Sequence, residues 1–148
     1  MSEDLGGKVI GKYELRERVG RGGMAEVYKA YHTSLGRFVA LKILHPFLGE
    51  DPQFKERFEQ EARNVAQLRH PNIVQAYAIG EDDGVHFFAM ELVHGKPVGQ
   101  LLAQAGPLPI QRAVEIVTQV AAGLEAAWKG AKMVHLDIKP DNILLTAE

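Results

Sequence analysis

A chain of 148 residues, 46% hydrophobic and 24% charged, is composed like one globular domain or a piece of a larger one. Its net charge of -2 gives no basis for partnership with nucleic acid or an anionic membrane surface, and the absence of cysteine excludes disulfides and thiolate zinc sites. The opening MSEDLGGKVI lacks the basic end and apolar run of a signal peptide, and the most apolar stretch, Ala113 to Trp128, is interrupted by Glu115 and Glu125, so a cytoplasmic protein with no membrane segment is expected.

There is no internal repeat and no low-complexity tract. From Tyr13 to Val19 apolar and charged residues alternate, with Tyr13, Leu15 and Val19 on one side, which predicts a half-buried strand. Gly20 to Gly23 interrupts it, Ala25 to Tyr31 resumes an extended pattern, and Arg37 to Leu44 makes a third, strongly β-prone strand. Pro52 precedes a helix in which Phe54, Phe58, Ala62 and Val65 fall at helical spacing, and Pro71 is expected to end it. Ile73 to Ala78 and Val85 to Met90 read as a hairpin around Glu81-Asp82-Asp83-Gly84. The character changes after Gly95, with a boundary near Val93 to Gly95. Pro107 and Pro109 then sit where a helix can begin, and Ala113, Val117, Val120, Leu124 and Trp128 form its apolar stripe.

Three segments carry chemistry. Gly20-Arg21-Gly22-Gly23-Met24-Ala25-Glu26-Val27 is a glycine-rich turn between strands, where missing side chains let backbone N–H groups approach phosphate oxygens; an ordinary glycine hairpin is the plain alternative. A dinucleotide fold needs a helix directly after the glycines, and the other phosphate-binding loop needs Gly-Lys-Ser/Thr, which is absent. In Val39-Ala40-Leu41-Lys42, Ala40 and Lys42 share one strand face and Val39, Leu41 and Ile43 the other. A small residue beside an ammonium suits a purine plane and its phosphates; a surface lysine on an edge strand is the alternative. Glu61 lies on the helical face of Phe58 and Val65, where an acid needs a partner. Arg57 one turn earlier would give only a solvated pair, and the place of Glu61 on the apolar face favours a buried one, whose other member the residues so far leave open.

The strongest signal is Val134-His135-Leu136-Asp137-Ile138-Lys139-Pro140-Asp141-Asn142-Ile143-Leu144-Leu145. This string resembles the catalytic loop of bacterial eukaryotic-like serine/threonine protein kinases; a polar turn explains any one of its residues but not the whole. The resemblance extends over nearly the whole chain. It implies that Asp137 accepts the proton of the substrate hydroxyl, that Lys139 neutralises the transferring phosphate and that Asn142 ligates Mg2+. It makes Lys42 the phosphate anchor, oriented by Glu61. It places ATP against Gly20, Arg21, Gly22, Gly23, Met24 and Ala25, with Val27 and Ala40 above the purine and Leu144 below it. Met90, Glu91 and Val93 become the hinge at the adenine edge. Val27, Ala40 and Leu144 are equally well read as plain core. His135 is a packing residue rather than a catalyst or metal ligand.

The fold implied is α+β and protein-kinase-like. Residues 1–93 form a small lobe of antiparallel sheet with one packed helix (the family's αC) and the hinge, and residues 94–148 the first helices and catalytic loop of a large lobe. Ala25 stands where the family usually has its third glycine, and Leu136 where an arginine often precedes the catalytic aspartate. No Asp-Phe-Gly follows Leu145, so the expectation is a parent enzyme that phosphorylates Ser/Thr of proteins and an isolated chain that does not. The rival reading is a non-catalytic module that holds a nucleotide or a partner.

Overall fold

The computed structural model describes residues 4–132 and 138–146. The chain divides into two compact units, Met1–Ala66 with Gln75–Leu92 and Gln67–Val74 with Val93–Glu148. The second unit thus takes in residues 67–74, which a single cut near Val93 would leave with the first.

In the first unit, β1 (Val9–Ile10), β2 (Tyr13–Arg21), β3 (Ala25–His32), β4 (Arg37–Leu44), β5 (Ala76–Asp82) and β6 (Val85–Met90) form an antiparallel sheet in the order β1-β2-β3-β4-β6-β5. One face buries Leu15, Tyr28, Ala30, Val39, Leu41 and Ala89. The other receives α2 (Pro52–Ala66), whose Phe58 and Ala62 pack with Ala25, Leu44 and Phe88; a short α1 (Pro46–Gly49) precedes it. Asp51 starts α2 by accepting a hydrogen bond from the Gln53 N–H at 2.9 Å, with proline in the first turn.

Three expectations need correction here. The first strand does not break at Gly20 but runs on through Arg21, and Val19 is 54% exposed rather than on the buried side. Register shifts between Leu15 and Arg18 and between Arg18 and Gly20 explain this, because each extra residue flips the faces of those beyond it. The helix ends at Ala66, well before Pro71, because the chain turns off to bury Leu68 beside Gly130 in the second unit. The hairpin strand starts at Ala76 rather than Ile73. Its turn is Asp83-Gly84, both with positive φ (50° and 79°), the two-residue type that matches strand twist.

The second unit holds β7 (Gly95–Pro97), α3 (Val98–Ala105), α4 (Ile110–Ala131), a 3-10 turn (Pro140–Asn142) and β8 (Leu144–Thr146), which pairs antiparallel with β7. A Cβ on Gly95 would run into the Leu145 backbone, so this pairing needs glycine. On α4 the buried residues are Ile116, Gly123 and Ala127, whereas Val117 is 66% and Trp128 51% exposed. Of the expected stripe, Val117, Leu124 and Trp128 therefore face out, while Ala113 and Val120 are half-buried. The small residues decide it: at Gly123 the Asn72 carbonyl lies 3.3 Å from where a Cβ would sit, and the Asn72 amide donates to the Gln119 carbonyl at 2.9 Å. Among the described residues no helix is long and apolar enough to cross a membrane.

Candidate functional site

Strand register brings the predicted residues of the first unit together. Val27 on β3 lies opposite Lys42 on β4, Lys42 opposite Phe88 on β6, and Ala40 opposite Met90. Alternation then puts Val27, Ala40, Lys42, Phe88 and Met90 on the face against which α2 packs. Because Phe58 and Ala62 are buried there, the intervening Glu61 is carried to the sheet, and its Oε1 accepts a hydrogen bond from Lys42 Nζ at 2.8 Å. Lys42 Nζ also lies 5.4 Å from the centre of the Phe88 ring, which itself packs on Phe58. Both partners of the ion pair keep solvent contact (24% and 38% of their side chains), so the pair adds only about 0–1 kcal/mol to stability. Its value is geometric: it aims the ammonium.

The glycine-rich turn lies at the end of the β2–β3 arms. The Gly22 N–H donates to the Ala25 carbonyl at 2.8 Å, and the His45 N–H donates to the Met24 carbonyl at 3.1 Å. His45 Nε2 lies 3.2 Å from the Gly22 carbonyl, which can only accept, so Nε2 carries the proton in this bond. Neither Gly20, Gly22 nor Gly23 has positive φ, and a Cβ on Gly23 would meet nothing within 4 Å. Packing does not demand glycine at 23; its absence of side chain leaves backbone that a ligand can approach. An ammonium beside open backbone, with the small Ala40 next along the strand, fits the phosphate and purine ends of a nucleotide.

Further along, the Glu91 N–H donates to the Gln75 carbonyl at 2.7 Å, so a ligand contact through Glu91 would use its carbonyl. Arg21 and Met24 flank the turn, Arg21 with its Nε 3.7 Å from Glu26 Oε1 and Met24 packed against the Phe58–Phe88 cluster.

In the second unit Lys139 is extended and precedes the 3-10 turn, whose Asn142 N–H donates to the Lys139 carbonyl at 2.9 Å. Leu144 follows on β8, opposite Pro97, and Val93 is partly buried. Asp137, with His135 and Leu136, lies outside the described residues. Among the described residues no group of three or more His, Cys, Asp or Glu could hold a metal ion.

Two contributors escape a sequence reading. His45 holds the turn from the end of β4, and nothing in its neighbourhood marks it. Glu26 is 4% exposed yet charged, and contacts Arg18, Arg21 and Tyr28. Its place on the Tyr28 and Ala30 face of a strand was the available signal. Burial pushes the Tyr28 phenol above its ordinary value; the Leu5 N–H opposes this and Glu26 adds to it.

A model of the protein kinase domain matches residues 13–148. The serine/threonine-protein kinase PknH of Mycobacterium bovis is 43% identical over 142 residues, covering 96% of this chain and 24% of its own length. PknE of Mycobacterium tuberculosis is 42% identical over 147 residues, covering 99% and 26%. The serine/threonine-protein kinase PksC of Streptomyces coelicolor is 43% identical over 144 residues. The chain thus spans about a quarter of the length of these curated relatives. Among solved structures, a point mutant of the Mycobacterium tuberculosis PknI kinase domain superposes with a TM-score of 0.85 at 33% identity, covering 100% of this chain and 60% of that one.

Proposed function

The chain belongs to the protein kinase domain family, and from that premise we propose that it forms the ATP-binding part of a serine/threonine protein kinase, residues 1–93 as the small lobe and 94–148 as the start of the large one. ATP supplies the γ-phosphoryl group, and a serine or threonine hydroxyl of a protein receives it. Use of ATP goes with a cytoplasmic location, where that nucleotide is kept.

The observation that carries this reading is the 2.8 Å contact of Lys42 with Glu61, on the face shared by Val27 and Ala40 and beside the glycine-rich turn. Held by Glu61, the Lys42 ammonium meets phosphate oxygens as a fixed charge, while the backbone of the turn offers N–H donors to the same group. Within the first unit, Val27 and Ala40 offer a wall for the purine and Met90 and Glu91 its edge; the roles of Leu144 and Val93 toward the nucleotide rest on the family resemblance alone. Asp137 accepts the hydroxyl proton and Lys139 neutralises charge on the moving phosphoryl group. Asn142 offers one oxygen to a magnesium ion, as the family resemblance implies. The Lys139-Pro140 pair and the names of the relatives support a serine or threonine acceptor.

Titration calorimetry on the 148-residue chain tests the binding half of the proposal. Lys42→Met should weaken ATP about tenfold by removing a charge-assisted contact while leaving adenosine unchanged. Equal ATP affinity for the two proteins would overturn it.

A further inference from the structure

Glu26 is a carboxylate in the interior of the first unit, and a buried charge is costly unless its oxygens are answered. Arg18, Arg21 and Tyr28 are among the groups that answer it. Arg18 and Arg21 approach Oε1 at 3.4 and 3.7 Å, and the Tyr28 hydroxyl donates to Oε2 at 3.1 Å. The two arginines flank Gly20 on β2 while Glu26 stands on β3, so the cluster braces both arms of the glycine-rich hairpin. It does so where the backbone ladder is interrupted, at the register shift between Arg18 and Gly20. The chain of bonds continues away from the turn. The Tyr28 hydroxyl accepts a hydrogen bond from the Leu5 N–H at 2.9 Å, and Leu5 belongs to an N-terminal segment fastened to β2 by Gly7 N–H to Leu15 O and Leu15 N–H to Lys8 O, both 2.8 Å. A hydroxyl that accepts from an amide becomes a better donor to its own acceptor.

We propose that Glu26 is a positioning residue for the glycine-rich turn, and that the Tyr28 hydroxyl couples its grip to the N-terminal segment at Leu5, so that displacing this segment loosens the turn. The consequence for ATP rests on the kinase reading above; the coupling itself does not.

The experiment is amide hydrogen exchange on the 148-residue chain and on Glu26→Gln, Tyr28→Phe, Arg21→Gln and a form lacking residues 1–7, with ATP and adenosine calorimetry alongside. Arg63→Gln, which breaks the surface pair with Glu59, is the control. Exchange at Arg21, Gly22 and Glu26 should quicken about fivefold in Tyr28→Phe and in the shortened form. In Glu26→Gln it should quicken about tenfold, since charge-assisted bonds are lost. Amides of β6 and the control should not move, and ATP should weaken by similar factors while adenosine does not. Unchanged exchange at the turn in every variant overturns the proposal. Faster exchange in Glu26→Gln with none in the shortened form overturns the coupling to Leu5. Should Glu26→Gln unfold, with β6 exchanging too, the exposed Arg21→Gln decides by the same criterion. Faster exchange in a chain that binds no ATP supports the brace and overturns the kinase reading instead.

Discussion

Phe58 on α2 and Phe88 on β6 lie with ring centroids 5.1 Å apart, and this tilted pair fastens the helix to the sheet directly beneath the Lys42–Glu61 contact. Orientation of a charge at the surface of the sheet thus depends on an aromatic contact inside it. Phe58→Ala should remove about 3–5 kcal/mol, a large share of a total near 5–15 kcal/mol. Phe58→Leu, which keeps most of the volume, should cost distinctly less. Urea denaturation of the three proteins checks the order.

Glu61→Gln separates geometry from stability. The pair is partly exposed, so urea midpoints should shift by no more than about 1 kcal/mol. ATP affinity should nonetheless fall, because a neutral amide no longer holds the Lys42 ammonium in place. A large stability loss with unchanged ATP affinity would reverse the roles assigned to the pair.

The two sides of α4 should respond oppositely to substitution. Ile116→Ala, on the buried side, should cost about 2–5 kcal/mol. Val117→Gln, on the exposed side, should stay within about 0.5 kcal/mol of the parent. Thermal melts of both variants distinguish this arrangement from the opposite one.

Gly95 and Gly23 are both glycines, for different reasons. At Gly95 a methyl group would meet the Leu145 backbone, so Gly95→Ala should cost about 1–3 kcal/mol and open the β7–β8 pairing. At Gly23 a methyl meets open space, so Gly23→Ala should leave the melting transition in place. The same change would crowd a phosphate, and ATP titrations of Gly23→Ala should show weakened binding without lost stability.

Alkaline stability should carry the mark of Tyr28. Its phenol is raised above 10.0 by burial first and by Glu26 as well, so the folded state holds the proton more tightly than the unfolded one. That contribution is fully present below the unfolded value and is lost as pH rises through the folded one. Tyr13, raised by burial against the opposing charge of Arg37, acts in the same direction. Melting temperatures should therefore fall above pH 10.0, and less steeply in Tyr28→Phe.

Where periodicity and packing agree, sequence is enough. Arg37 to Leu44 is a strand because nearly all its residues suit a pleated, buried surface, and that alternation alone puts Ala40 and Lys42 on one face. Phe58 and Ala62 orient their helix unambiguously and so turn Glu61 toward the sheet, while its match to Lys42 comes from the family resemblance. On α4, by contrast, apolar residues occur all round. Size points to Val117, Leu124 and Trp128, but close approach by another segment requires the small Gly123 and Ala127. The bulges that turn Val19 outward leave no trace in hydrophobicity, and neither does the bond from His45 to Gly22. A pattern of residue types reports faces and chemistry; it does not report which neighbour arrives from elsewhere in the chain.

The visit of residues 67–74 to the second unit has a practical corollary. The polypeptide passes between units after Ala66, after Val74 and after Leu92, so no single scission releases either one whole. A fragment ending at Leu92 would carry Leu68 away from Gly130 and Asn72 away from Gln119, exposing a leucine and stranding an amide. The two units are interlaced along the chain, and each must be translated past the start of the other before it can close.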